Sequence, residues 1–270
     1  MRLDLQQVRS FHNAGFLAIS QPVIDQRNLA KVRDIYDRMF ESRAGRADGN
    51  QFDLAGTDED DRPAALSQIL YPHRYYPEIR GDYVETIHDI AQQLLGPAVT
   101  TEIFHAILKP AGIGAPTPWH QDEAYWEPDR QYRSISIWMP LQEVTVDNGC
   151  LWFNDGSHEW DVLEHRSIGG DPRVHGLELV DSSVIRDAVP CPLPPGGVTI
   201  HRNRTAHYAG PNTTGESRRA LVLSASLPDR PYVGTRHFRW NDGKDTRRAQ
   251  RAAETGGTDQ TGAPKSGAVD

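Results

Sequence analysis

Residues 118–126 read PWHQDEAYW and place His120 and Asp122 one residue apart. An imidazole nitrogen and a carboxylate oxygen are both metal ligands. On an extended chain residues i and i+2 point to the same face, so both side chains can reach one ion. Among the eleven histidines this is the only His-x-Asp or His-x-Glu. The pair also fits a plainer role, in which Asp122 does no more than orient His120. A third ligand separates the two readings. The stretch GGVTIHRNRTAHYAGPNTTGESRRALVL supplies His201 and His207 near the end of a strand. Two histidines and a carboxylate on one side of a metal leave three positions open. That suits a non-haem Fe(II) that must bind a co-substrate and O2. A co-substrate with a free carboxylate needs a cation at the far end of its pocket. Arginine does this best, because its planar fork pairs bidentately. Arg218 and Arg219 begin the strand after these histidines, and one of them is placed to do it.

The elements that position these residues are legible from periodicity. Leu3, Leu5, Val8 and Phe11 predict a helix over 3–12, and GFLAIS a short strand after it. Ile24, Leu29, Val32, Ile35, Tyr36, Met39 and Phe40 form one apolar stripe on a helix over 24–40. Tyr83, Val84, Ile87, Ile90, Ala91, Leu94 and Leu95 do the same over 82–95. Between them, residues 41–62 are Gly- and Asp-rich and predict a polar loop or lid. After Gly96-Pro97 the period changes to two. In SISIWMPLQEV, Ser134, Ser136 and Trp138 fall on one face, and Ile135, Ile137 and Met139 on the other. TEIFHAILKP, CLWFNDGSH, GGVTIHRN and RRALVLSASLP are further short strands bounded by turn residues. Short strands without long intervening helices predict a β-sandwich or barrel. The expected architecture is mainly β with a helical N-terminal third, in one domain over residues 1–240. From Asn241 onward the only aliphatic residue beyond alanine is Val269, and there is no aromatic. Residues 241–270 are therefore expected to be a disordered tail.

Composition narrows the partners. The formal net charge of −8 disfavours nucleic acid or an anionic membrane surface. Two cysteines, Cys150 and Cys191, are too few for a disulfide framework or a Cys-rich zinc site. No apolar run is long enough to cross a membrane. MRLDLQQVRSFHNAGF has no signal-peptide apolar block. These observations predict a cytoplasmic protein with free thiols, acting on a small molecule as a monomer or homodimer.

Three stretches resemble the phytanoyl-CoA dioxygenase family of Fe(II)- and 2-oxoglutarate-dependent oxygenases. TPWHQD resembles its His-x-Asp block. DNGCLWFNDGSH resembles its Asn-Gly…Pro-Gly-Ser-His segment, with Asp155 where proline is common. HYAGPNTTGESRRA resembles its His-x-x-Gly-x-Asn block, in which an arginine follows the distal histidine eleven positions later. The N-terminal helix followed by GFLAI fits the family's opening, so the resemblance covers about residues 5–240. It implies a double-stranded β-helix (jelly-roll, cupin-like) core buttressed by helices. It implies His120, Asp122 and His207 as the iron triad, with His207 preferred to His201 because eleven residues beyond it lies Arg218. Arg218 then matches the residue that pairs with the distal carboxylate of 2-oxoglutarate. Trp138, eighteen residues after His120, matches a tryptophan beside the cofactor. Gln68 falls near a position where several members carry a cofactor-contacting lysine, and His105 where some carry a methionine lining the cofactor pocket.

The implied reaction consumes O2 and 2-oxoglutarate, releases succinate and CO2, and oxidises an unactivated C–H. Halogenases of the wider superfamily have alanine or glycine where this chain has Asp122, so the carboxylate favours hydroxylation. Family members act on acyl-CoA esters, compatible solutes and secondary metabolites, and the last class is preferred here. Tyr125, Trp126, Trp152 and Trp160 are candidates for an aromatic mouth, and Arg130 and Arg133 for contact with an acidic substrate. The rival reading is a cupin-type metal-binding protein or isomerase that does not turn over 2-oxoglutarate.

Overall fold

Apolar periodicity accounts for the three N-terminal helices, and side-chain caps start two of them. In the computed structural model, which describes residues 1–113 and 115–255, they are α1 (Leu5–Ala14), α2 (Gln26–Glu41) and α3 (Asp82–Leu95). Asp4 and Gln7 form a reciprocal capping box on α1, and the Asp25 carboxylate accepts from the Asn28 amide to start α2. α1 stops at Gly15, whose φ of +82° suits glycine. The Gly15 carbonyl accepts from the Arg202 amide and the Thr205 hydroxyl, both at 2.9 Å, which ties this corner to the strand carrying His201.

The strands are β1 (Phe16–Ile19), β2 (Gln51–Asp53), β3 (Ser67–Leu70), β4 (Thr100–Lys109), β5 (Thr117–His120), β6 (Arg130–Pro140), β7 (Leu151–Asn154), β8 (His165–Ser167), β9 (Leu177–Leu179), β10 (Ala188–Cys191), β11 (Val198–Arg202), β12 (His207–Ala209) and β13 (Arg218–Pro231). A seven-stranded antiparallel sheet runs β1-β11-β6-β13-β4-β3-β2, and a four-stranded antiparallel sheet runs β10-β7-β12-β5. β8 and β9 pair with each other. The alternation of β6 sorts its faces as its sequence predicts. Ile135, Ile137 and Met139 pack with α2 and α3 residues in one core, together with Leu221 and Leu223 of β13. Ser136 and Trp138 face the other way and line a cavity. The helices thus cover one face of the large sheet, and the site lies on the opposite face. Each large apolar side chain buried in that core contributes about 1.5–3 kcal/mol.

A β-bulge in β4 breaks this rule locally. Against β13, Val222 pairs with His105 and Leu223 with Ile103, so Phe104 has no opposite number. Ile103 and Ala106 stay in the helix-covered core, while the consecutive residues Phe104 and His105 both line the cavity. Inserting one residue is the simplest way for a strand to present two neighbours to one face.

Two segments depart from expectation. The polar loop after α2 contains β2, which pairs with β3, and the buried Asp53 carboxylate accepts from the amides of Ala55, Ala65 and Leu66. The tail expected from Asn241 is instead structured through residue 255, and includes helix α4 (Arg247–Glu254). Thr246 caps it, accepting from the Ala249 amide. Its buried face is Arg248 and Ala252, one turn apart. Residues 256–270 lie outside the described residues. Cys150 and Cys191 are free and buried. Among the described residues no helix is long and apolar enough to cross a membrane.

Candidate active site

The strand ends bring the candidate ligands together. His120 closes β5 and His207 opens β12, and the register of that pair sets them directly opposite each other. Their rings lie 4.2 Å apart, centroid to centroid. Asp122 is not on a strand, contrary to the simplest reading of His-x-Asp. It opens a 3-10 turn, Asp122–Tyr125. The alternation survives because Gln121 between them is extended, with φ −118° and ψ 131°. The Gln121 side chain points away and is held at both ends. Its amide nitrogen donates to the carbonyls of Asp161 and Arg204, and its oxygen accepts from the Leu163 amide. Asp122 Oδ1 then lies 3.7 Å from His120 Nε2 and 3.5 Å from His207 Nε2. One ligand atom from each of His120, Asp122 and His207 falls within 4.8 Å of the others.

Backbone carbonyls fix which imidazole nitrogen is available. His120 Nδ1 lies 2.8 Å from the Pro118 carbonyl and His207 Nδ1 lies 3.0 Å from that of Thr205. Both rings therefore carry their proton on Nδ1 and present Nε2 as a lone pair. Burial lowers the pKa of both rings, keeping them neutral. Burial alone would raise the Asp122 carboxyl, but His207, His201 and His120 together outweigh it and hold it below the usual range. Neutral imidazoles beside an ionised carboxylate are the protonation states a metal requires. Lys109 Nζ, also buried, donates to the carbonyls of Ala115, Ala209 and Gly210, pinning the end of β12 just past His207.

The two neighbouring arginines face opposite ways. Arg219 donates to Asp37 of α2 at 2.6 Å, on the helix side of the sheet. Arg218 turns into the cavity, is 2% exposed, and lies 5.3 Å above the Trp138 ring. Burial lowers its pKa to about 10, so it stays charged at neutral pH. Its Nε and one terminal nitrogen have no partner among the described residues. A buried guanidinium with donors to spare is fitted to an incoming carboxylate.

The remaining sequence candidates divide. Gln68, His105, Tyr125 and Trp126 line the same cavity as the triad. Gln68 faces inward because β3 pairs with β4 so that it sits opposite Ile107, another cavity residue. Tyr125 stacks on His175 and its hydroxyl accepts from the Leu177 amide. Trp152, Trp160, Arg130 and Arg133 are not among the lining residues. Arg130 pairs instead with Asp229 at 2.7 Å. Among the lining residues that sequence reasoning missed are His175 and Arg248. His175 comes from the loop before β9, with no periodic signal. Arg248, 3% exposed, comes from α4, which composition had hidden.

His165 gives the site a pH dependence. Its Nε2 accepts from the Gln121 amide at 3.1 Å and its Nδ1 donates to the Leu163 carbonyl at 2.8 Å. Burial lowers its pKa to about 4. An unfolded histidine takes up a proton near pH 6.5, but the folded one resists until about pH 4. The stability it contributes is therefore complete above about pH 6.5 and is lost as pH falls toward 4, at about 1.4 kcal/mol per pH unit. The thermal midpoint is expected to drop across that window, and His165→Asn to remove one group's share of the drop.

The donor set fits a divalent metal, and the partnerless Arg218 donors fit a dicarboxylate beside it. Comparison with known proteins agrees. Residues 11–220 match the phytanoyl-CoA dioxygenase (PhyH) family. A probable alpha-ketoglutarate-dependent hypophosphite dioxygenase of Stutzerimonas stutzeri is 25% identical over 238 residues, covering 86% of this chain and 82% of that protein. The crystal structure of EvdO2 from Micromonospora carbonacea var. aurantiaca, complexed with 2-oxoglutarate, is 35% identical with a TM-score of 0.75. That match covers 90% of this chain and 98% of EvdO2. SnoK, an alpha-ketoglutarate-dependent carbocyclase from nogalamycin biosynthesis, shares the fold at 22% identity and a TM-score of 0.68, over 90% of this chain and 89% of its own.

Proposed function

The chain belongs to the phytanoyl-CoA dioxygenase family, and on that premise we propose that it is an Fe(II)- and 2-oxoglutarate-dependent dioxygenase oxidising an unactivated C–H of a small molecule. The observation that carries this reading is the occurrence in one cavity of the His120–Asp122–His207 cluster and the buried, under-partnered Arg218. In the proposed assignment His120 Nε2, His207 Nε2 and Asp122 Oδ1 hold the iron. Arg218 pairs with the distal carboxylate of 2-oxoglutarate, and Trp138 packs along it. Gln68 and His105 supply hydrogen bonds from the wall formed by β3 and β4. When bound, iron and 2-oxoglutarate activate O2, with succinate and CO2 released and one oxygen atom available to the substrate. The protein orients the reactants and excludes water. Phe104 of β4, and Tyr125 and Trp126 at the turn after β5, add aromatic surface to the cavity.

The carboxylate at 122 supports hydroxylation or another oxidation over halogenation, since it fills the position a halide would need. We read the described residues, α4 included, as one oxygenase domain with a jelly-roll core, working in the cytoplasm on a secondary metabolite. Adding Fe(II) and 2-oxoglutarate without O2 should produce a weak visible charge-transfer band near roughly 500 nm, as expected of a keto acid chelated at a facial triad. A folded, iron-loaded protein without that band would leave the metal-binding, non-oxygenase reading in its place.

A further inference from the structure

We infer that Ser136 and His201 form a clamp that restricts Asp122 to a single metal-binding oxygen, an assignment that rests on the iron site just proposed. The carboxylate is used at both ends. Oδ1 faces the two imidazole nitrogens of the triad. Oδ2 accepts from Ser136 Oγ at 2.8 Å and from His201 Nε2 at 3.2 Å. The register of the large sheet builds this arrangement. β6 and β11 pair so that Ser136 stands directly opposite His201, which puts both side chains on the cavity face. Both residues are deeply buried, at 6% and 2% exposure. The Nδ1 of His201 has no partner among the described residues, so the ring N–H that meets the carboxylate is the one on Nε2, where its acceptor is. His201 is thus a donor to the far oxygen of the carboxylate, not a fourth ligand.

The clamp matters because carboxylates bind metals through one oxygen or two. A six-coordinate ion held by two imidazoles and one carboxylate oxygen keeps three positions, enough for a chelating keto acid and O2. If both oxygens of Asp122 turned to the metal, one of those positions would be lost. Two donors on Oδ2 make that turn costly, since each would be left buried without an acceptor. Ser136 and His201 are accordingly positioning residues. They touch the ligand and leave the metal to it.

Mn(II) alone is a suitable probe, because water-proton relaxation counts the exchangeable waters on a bound Mn(II). The wild type should hold about three, and the Ser136→Ala/His201→Leu double variant about two, from six-coordinate geometry. Ser136→Thr and His201→Gln retain a donor and should read as wild type. An unchanged water number in the double variant, or His201→Gln behaving as His201→Leu, would overturn the clamp. If the double variant does not fold, each single variant is compared with its conservative partner, and equal water numbers overturn the clamp in the same way. Adding 2-oxoglutarate should then remove about two waters from the wild-type ion, and bind about tenfold more weakly to the double variant. If 2-oxoglutarate displaces no water from the wild type, the cofactor reading fails. The water counts with Mn(II) alone still decide the clamp.

Discussion

Arg218→Ala is expected to raise the concentration of 2-oxoglutarate needed for half-saturation about a hundredfold, while Arg219→Ala leaves it within about threefold. The difference follows from the side of the sheet each residue occupies. Arg218 is sealed in the cavity with two nitrogens lacking partners among the described residues. Removing it deletes a bidentate charged pair in a setting where little water is available to replace it, and such pairs are worth about 2–5 kcal/mol. Arg219 lies across the strand and holds Asp37 of α2, so its loss touches helix packing. Arg218→Lys should recover only part of the affinity, because an ammonium cannot offer the paired geometry. Calorimetric titration of the metal-loaded protein with 2-oxoglutarate reads all three variants. Equal effects at 218 and 219 would mean that neither arginine holds the keto acid.

Asp122→Ala is expected to lower metal affinity about a hundredfold and to reduce succinate formation to below about one per cent of wild type. The metal loses its only anionic ligand and keeps two neutral imidazoles, a much weaker site. The substitution also strands Ser136 and His201, which both donate to Asp122. That predicts a loss of stability of about 1–3 kcal/mol for each donor left without an acceptor. Metal per chain, measured after gel filtration, and succinate released per hour test the two parts separately. Retained turnover would show that another residue supplies the carboxylate.

The candidate residues were legible from the His-x-Asp spacing and the family resemblance, and strand alternation showed which face some of them take. The alternation in SISIWMP sent Trp138 and Ser136 to one face, and β6 obeys it. Arg218 begins β13, whose fourteen residues carry a long apolar pattern, whereas His207 begins a three-residue strand and was preferred only for its spacing to Arg218. His105 was identified as a candidate, but the bulge that turns it inward together with Phe104 was not. A bulge depends on pairing with β13, which lies more than a hundred residues away. Gln68 was named from resemblance alone, since β3 is only four residues long and carries little pattern of its own. The helix in residues 241–255 is hidden in the sequence for a different reason. Counting aliphatic residues assumes that burial needs them, yet α4 buries the stem of an arginine and an alanine. His201 was considered as a ligand and set aside. Its actual contact, with the carboxylate rather than with the metal position, depends on distances no sequence displays.

α4 also has a consequence for the order in which the protein is made. Synthesis runs from the N-terminus, and segments fold as they emerge. Every triad residue has been added once His207 is in place, and β13 follows directly. Arg248 closes its part of the cavity only afterwards, when α4 docks against the segment around Gly49 and Arg251 joins Arg46 on the buried Asp58. A chain cleaved between Pro231 and Arg247 would keep its metal ligands and lose one wall. Such a fragment would leave the metal position open to water, a condition under which an oxidising centre can attack its own protein. Proteolysis in this connecting segment would therefore convert an enzyme into a hazard, and an affinity tag placed beyond α4 would select the chains that keep this wall.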